Sequence, residues 1–412
     1  MARSNFSVSG CISVYGSASA GAAFGFSVLF LYAAYKDNEK PNVAAVQPAK
    51  TKLNNFVRIW QFPKSELIVL VIVHDCSCIS DGFTSSRTPA IKPYDGEMAH
   101  SLSKTSQLPA QWRLRSHILD LSPSPLIMGI VNITPDSFSD GGLYLASEQA
   151  IAHGLQLLDE GADILDLGAE STRPGSHAGD PSHATVSANE EQTRLLPVIE
   201  GILKGRPEAI LSIDTYKAST ARAVITAGAE IVNDVSGLLW DQQMAEVCAE
   251  LNCGVVLMHT RGKPDEWRSL PALADDEVLP IVRDGLAASL AIARQAGIAE
   301  EAIVLDPGYG FGKRMNENYA LLARQAELLS LGRPLLAGLS RKSFLIRALT
   351  TLPIYADREI TLDSRDNAGI AALTAAILNG ASIIRVHSVR PALEAAAIAT
   401  AILAHAPHPE SL

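Results

Sequence analysis

Eight short apolar runs fill the chain from Leu126 onward, each closing on polar or charged residues and each followed by helical spacing. They are Leu126–Thr134, Ile164–Ser171, Ile210–Thr215, Ile231–Ser236, Val255–Thr260, Ile303–Asp306, Leu335–Ser340 and Ile383–His387. Runs of strand length without polar alternation belong to a sheet buried on both faces, and their alternation with helices predicts an α/β fold, a (β/α)8 TIM barrel. In that architecture chemistry gathers at the C-terminal ends of the strands. The polar residue ending each run is therefore the candidate site, and the rest of the run is core. Within Ser147–Glu160, residues Ala150, Ile151, Gly154, Leu155 and Leu158 share one helical face. Gly161-Ala-Asp, Gly228-Ala-Glu and Gly380-Ala-Ser precede runs two, four and eight, and glycine there ends a helix in the left-handed cap position.

The 412 residues are 47% hydrophobic and 19% charged, enough for one large core and too polar for a polytopic membrane protein. A net charge of −10 argues against a nucleic-acid partner, which would need a basic surface. It does not exclude a local anion pocket. Among the five cysteines only Cys248 and Cys253 fall within the repeat, without metal-like or framework spacing, so a reduced, cytoplasmic compartment is expected. Residues 1–111 read as an N-terminal extension to a catalytic domain spanning 112–412. Asn5–Tyr35 carries no charge, and Phe24–Tyr35 and Leu67–His74 are apolar. Three readings of this extension stay open: poorly structured, membrane-associated, or not natively translated. A membrane anchor is disfavoured by the scattered glycines and serines and the single upstream Arg3.

Asp214 closes run three, Asn233 sits late in run four, Asp306 closes run six, and Lys342 follows run seven in Gly338-Leu-Ser-Arg-Lys-Ser343. Any one of these would more often be a helix cap or a loop ion pair. Four on four strands aimed at one mouth suit a flat heteroaromatic ring: carboxylates accept from ring N–H and amino groups, and the lysine donates to ring nitrogen or carbonyl oxygen. Arg385 and His387 lie two apart and share a strand face, with Asn132 on the neighbouring first strand. That trio suits phosphate oxygens, and the Asn132 amide suits a hydrated Mg2+. Thr134–Gly142 and Ser171–Gly175 read as rim loops that close over substrates. Pro307–Lys313 looks superficially like a phosphate-cradling loop, yet lacks the Ser or Thr that should follow the lysine.

These blocks resemble, in order, those of the dihydropteroate synthases. Met128–Gly142 and Gly161–Gly175 resemble the two signatures of that family. Ser212-Ile-Asp-Thr215, Asn233-Asp234, Met258-His259, Asp306–Lys313, Ser340-Arg-Lys-Ser343 and Arg385-Val-His387 match the remaining blocks. The resemblance covers about residues 112–405. It implies a transferase of folate biosynthesis and sulfonamide target, joining 6-hydroxymethyl-7,8-dihydropterin diphosphate to 4-aminobenzoate with release of pyrophosphate. By position, Asp214, Asn233, Met258, Asp306 and Lys342 would hold the pterin, and Asn132, Arg385 and His387 the diphosphate, with Mg2+ on Asn132. Thr172, Arg173, Pro174, Phe311 and Ser343 would take the 4-aminobenzoate. Asp136, Phe138 and Asp140, with Lys342, Arg385 and His387, would complete the catalytic set. The resemblance also implies a homodimer formed through late barrel helices, here Ile370–Leu378 and Leu393–Leu403. Three departures stand out. The loop after Arg173 is long, Ser388 replaces the usual aspartate and is expected to weaken support for His387, and Gly262–Trp267 differs on the rim, away from the named contacts.

Overall fold

In the computed structural model, the described residues are 109–406 except 123, 134–139 and 171–185, together with four short strands before residue 73. Two compact units divide at Tyr94 and Asp95. In the first, Cys11–Ala18 pairs antiparallel with Ala22–Leu29, and Val57–Gln61 with Ile68–Ile72. The two apolar runs of the extension thus contribute strands; the remaining expectations for it fall outside the described residues. Among the described residues no helix is long and apolar enough to cross a membrane.

The second unit is the barrel. Its strands are β1 Leu126–Asn132, β2 Ile164–Gly168, β3 Leu211–Asp214, β4 Ile231–Asp234, β5 Gly254–Met258, β6 Ile303–Asp306, β7 Leu335–Ala337 and β8 Ala381–Val386. They close in sequence order, all parallel, with Arg385 of β8 opposite Met128 of β1. Every strand but β6, which ends at Asp306 as its run does, stops short of the apolar run that announced it, because the last residues leave the ladder to form the rim. The helices are α1 Asp140–Asp159, α2 Ala188–Gly205, α3 Ala218–Thr226, α4 Met244–Leu251, α5 Asp275–Ala296, α6 Met315–Ala323, α7 Ser343–Leu349, α8 Leu362–Leu378 and α9 Val389–Ala404. The expected joins are present: Gly161, Gly228 and Gly380 have φ of 102°, 114° and 86°. One boundary differs. Helix α1 begins at Asp140, so Asp140–Gly142 form its first turn rather than the end of a loop.

Strand periodicity explains how an apolar barrel carries a polar mouth. Met128, Ile164, Ile210, Ile231, Val256, Val304, Leu336 and Ile383 pack together as an interior layer. Two residues further along, on the same face, stand Ile130, Asp166, Ser212, Asn233, Met258, Asp306, Gly338 and Arg385. Below, a small hairpin (Gln111–Arg113 with Ile118–Asp120) plugs the opposite end. Its Trp112 is fully buried against the apolar layer and donates Nε1–H to the Ala302 carbonyl at 2.9 Å. The other strand face packs against the helices as a second, larger cluster.

Candidate active site

The strand ends surround a cavity of about 580 Å³. Asn132, Asp214, Phe311, Lys342, Ser343, Arg385 and His387, all singled out from sequence, line it together. Asn233, Asp306 and Met258 sit buried among the same strand ends. Met258 forms an apolar cluster with Tyr216 and Val235, against which Trp240 and Phe311 pack. Residues 134–139 and 171–185, including Asp136, Phe138, Thr172, Arg173 and Pro174, lie outside the described residues, as does the Asp140 side chain.

Arg385 is the hinge between the two clusters that sequence kept separate. Its Nε donates to Asp166 Oδ2 at 2.5 Å and its Nη2 to Asp214 Oδ2 at 3.0 Å. Asp166, fully buried, also accepts from Ser212 Oγ at 2.7 Å and Asn233 Nδ2 at 3.1 Å. Four strands are joined through this one carboxylate. Burial pushes the Asp214 carboxyl up to about 7; Arg385 pulls against that, and the neighbouring Asp166 adds to it. Asp306 is raised by burial as well, opposed by the Gly308 N–H it accepts at 2.7 Å and by the charges of Lys342 and Arg385. The mouth therefore holds carboxylates that want further donors.

Around this centre the rim is tightly held. His387 Nδ1 lies 3.0 Å from Ser340 Oγ, which also accepts from the His387 N–H at 3.3 Å. Support for His387 comes from Ser340, while the Ser388 hydroxyl turns to Asp366. Glu170 pairs with Lys217, which lies 3.3 Å from the buried Glu191, and the Tyr216 hydroxyl donates to Glu170 at 3.3 Å. Glu170 lines the cavity immediately before residues 171–185. Lys313 resolves the phosphate-loop likeness. Its buried ammonium donates to the carbonyls of Gly308, His259 and Phe311 at 2.7, 3.2 and 3.3 Å, and burial pushes its pKa down to about 7. Gly308, Gly310 and Gly312, with φ of 68°, 82° and 67°, wrap the loop around it. This lysine is a staple.

Trp267 corrects the reading of the loop after β5. The indole lines the cavity and stands edge-on to Phe311, with centroids 5.3 Å apart and planes at 82°. Lys342 Nζ lies 4.3 Å from the centroid of the same Phe311 ring. Sequence missed this contact, along with Asp166, Ser212, Ser340 and Glu170. Asp166 carried a signal: a lone charge between leucines in a strand buried on both faces must have a partner.

Residues 128–387 match the family model described as pterin binding enzyme. The chain belongs to the pterin binding enzymes. Within that family it falls among the dihydropteroate synthases, which are transferases. It is 40% identical over 285 residues to the dihydropteroate synthase of Escherichia coli K12, covering 69% of this chain and 94% of the relative. The Xanthomonas albilineans dihydropteroate synthase solved with 4-aminobenzoic acid is 39% identical, with a TM-score of 0.61 over 72% of this chain and 98% of that one. The Yersinia pestis dihydropteroate synthase solved with a sulfonamide drug complex is 37% identical, with a TM-score of 0.61 over 71% and 99%. All three similarities fall short of this chain's full length while covering nearly all of the relatives. The barrel is the shared part of this family member.

Proposed function

We propose that this enzyme condenses 6-hydroxymethyl-7,8-dihydropterin diphosphate with 4-aminobenzoate, giving 7,8-dihydropteroate and pyrophosphate in folate synthesis. The observation that carries this reading is the Arg385 fork. It leaves Asp214 at the cavity wall, short of donors, beside Lys342 and within the reach of a ring bearing N–H groups. Asp214, Asn233 and Asp306 would accept from and donate to the pterin edge, Lys342 would donate to its nitrogen or carbonyl oxygen, and Met258 would pack on its face. Arg385 and His387 would take the diphosphate with Asn132.

In this mechanism the C–O bond breaks first and its electron pair leaves with the diphosphate. The aniline nitrogen then attacks the pterin methylene cation and its extra proton passes to water. Such a step asks for neutralised leaving-group charge more than for a strong base, which suits a guanidinium and an imidazole aimed at the departing oxygens. Among the described residues no group of three or more His, Cys, Asp or Glu is placed to hold a metal ion. A single amide oxygen, from Asn132, fits a Mg2+ that keeps water and substrate oxygens as its other ligands. When bound, that ion supplies further charge neutralisation on the diphosphate.

Phe311 and Ser343 would contact the aryl ring and carboxylate of 4-aminobenzoate, and Trp267 belongs with them. Trp267→Ala removes an edge-to-face partner worth about 0.5–1.5 kcal/mol, so the KM for 4-aminobenzoate should rise about two- to twelvefold with the pterin KM unchanged. Equal shifts in both constants would remove Trp267 from the aryl wall. The cytoplasmic and homodimeric parts of the reading rest on the free, buried Cys248 and Cys253 and on exposed Ile398 and Ile402 of α9. Light scattering at micromolar protein should give twice the chain mass; a monomer ends the dimer reading. The function itself is tested by pyrophosphate release that requires both substrates and Mg2+ and that sulfonamides inhibit competitively against 4-aminobenzoate. Pyrophosphate released at the same rate without the arylamine would overturn it.

A further inference from the structure

We propose that Asp366 is a positioning residue for this transfer: one carboxylate on α8 locks the Ser340–Ser343 segment to the end of β8. It thereby fixes where Lys342 and Ser343 stand relative to His387. The inference rests on the functional reading above.

Arg341 has a φ of 58°, a left-handed conformation that opposes any residue with a Cβ and persists where neighbours over-determine it. The neighbour is Asp366. Its two oxygens accept from Arg341 Nε at 2.7 Å and Nη2 at 3.0 Å, a parallel fork that fixes orientation as well as distance. Asp366 Oδ2 also accepts from Ser388 Oγ at 3.1 Å, and Arg341 Nη2 lies 3.4 Å from that hydroxyl. One side chain therefore ties α8, the turn after β7 and the residue following His387. On the inner side, Ser340 and His387 are joined through the Ser340 hydroxyl. The helix lies directly on the turn: a Cβ built on Gly369, three residues after Asp366, would sit 3.7 Å from the Ser340 Cα.

Exposure argues that the pair serves geometry. The Arg341 and Asp366 side chains are 30% and 24% exposed, and ion pairs so placed add little to global stability. Arg341 lines the cavity while Asp366 does not, so the carboxylate acts through the segment it holds. Hydrogen bonding from Arg341 keeps Asp366 below the usual carboxylate range, so the fork persists across working pH.

The test compares the wild-type full chain with Asp366→Ala, Asp366→Asn and the double variant Asp366→Ala/Ser388→Asp. Hydrogen exchange at the amides of residues 340–343 should accelerate about tenfold in Asp366→Ala, with the urea midpoint close to wild type. KM for both substrates should rise about tenfold, and Asp366→Asn, which keeps an acceptor, should fall between. A carboxylate carried at 388 starts within reach of the same guanidinium, so the double variant should recover to within about threefold of wild type. Unchanged exchange at 340–343 in Asp366→Ala would overturn the proposal. So would lost activity that follows only a lowered urea midpoint with KM unmoved, or a double variant no better than Asp366→Ala. Wild type that fails to release pyrophosphate would sink the functional reading instead, and the exchange measurement still decides the positioning claim.

Discussion

Arg385→Met should lose at least about a thousandfold in turnover and, in the same protein, about 3–5 kcal/mol of folding stability at pH 8. The double penalty follows from what the guanidinium holds. Asp166 is fully buried; without Arg385 it keeps two neutral donors, Ser212 and Asn233, and faces an Asp214 whose charge is then opposed only by the nearby Lys342. Methionine matches the volume and offers nothing to a carboxylate. Loss of the guanidinium removes the charge that pulls Asp214 down, so its folded-state pKa, already about 7 through burial, rises further above its unfolded value near 4. A raised folded pKa gives stability that is present at low pH and lost as pH rises through that pKa. The variant's deficit should therefore shrink from pH 8 to pH 5, as measured by urea unfolding at each pH. Arg385→Lys should fall between, since a point charge cannot fork across two carboxylates on different strands. If Arg385→Met unfolds within about 1 kcal/mol of wild type at pH 8, the buried carboxylates are not held as described.

The barrel and most of its mouth were legible because both obey short-range rules. A strand places alternate residues on one face, so an apolar residue followed two positions later by Asn233, Asp306 or Arg385, or four positions later by Asp214, announces a floor and a site above it. The glycine joins before runs two, four and eight were readable for the same reason: they answer to the backbone next door. What escaped depended on distant partners. Asp166 was hidden inside a strand treated as core, and its partners Ser212, Asn233 and Arg385 lie 46, 67 and 219 positions away. Arg341 and Asp366 are 25 positions apart, across a turn and a helix whose mutual placement no periodicity encodes. Trp267 sits on an irregular loop, where sequence gives a residue type and no direction. Lys313 was half-read: its glycine-rich surroundings suggested an anion, while the three carbonyls it serves belong to its own loop and to the end of β5. Residues 134–139 and 171–185 are the part of the candidate site for which sequence remains the only guide.

Binding of the pterin ring should weaken on the acid side of neutrality, through Asp214. Its carboxyl sits at about 7 because burial and the nearby Asp166 disfavour charge, and Arg385 recovers only part of that cost. The ionised form is the competent one, since protonation turns the oxygen not held by Arg385 into a donor facing a ring N–H. Below pH 7 the ionised fraction falls about tenfold per unit, so affinity for the pterin should fall about tenfold between pH 6 and pH 5 and level off above pH 8. Calorimetry with 6-hydroxymethyl-7,8-dihydropterin, which lacks the diphosphate, avoids the titration of substrate phosphate. Donation from the ring to the carboxylate stabilises its charged form, so binding at pH 6.5 should also release a proton. That release appears as a dependence of the measured enthalpy on the buffer's ionisation heat. Asp214→Asn should bind more weakly at pH 8 and show neither the acid limb nor the proton release. An affinity that stays flat from pH 8 to pH 5 in the wild-type enzyme would mean that this carboxylate does not meet the ring, and the pterin would have to be placed elsewhere in the barrel mouth.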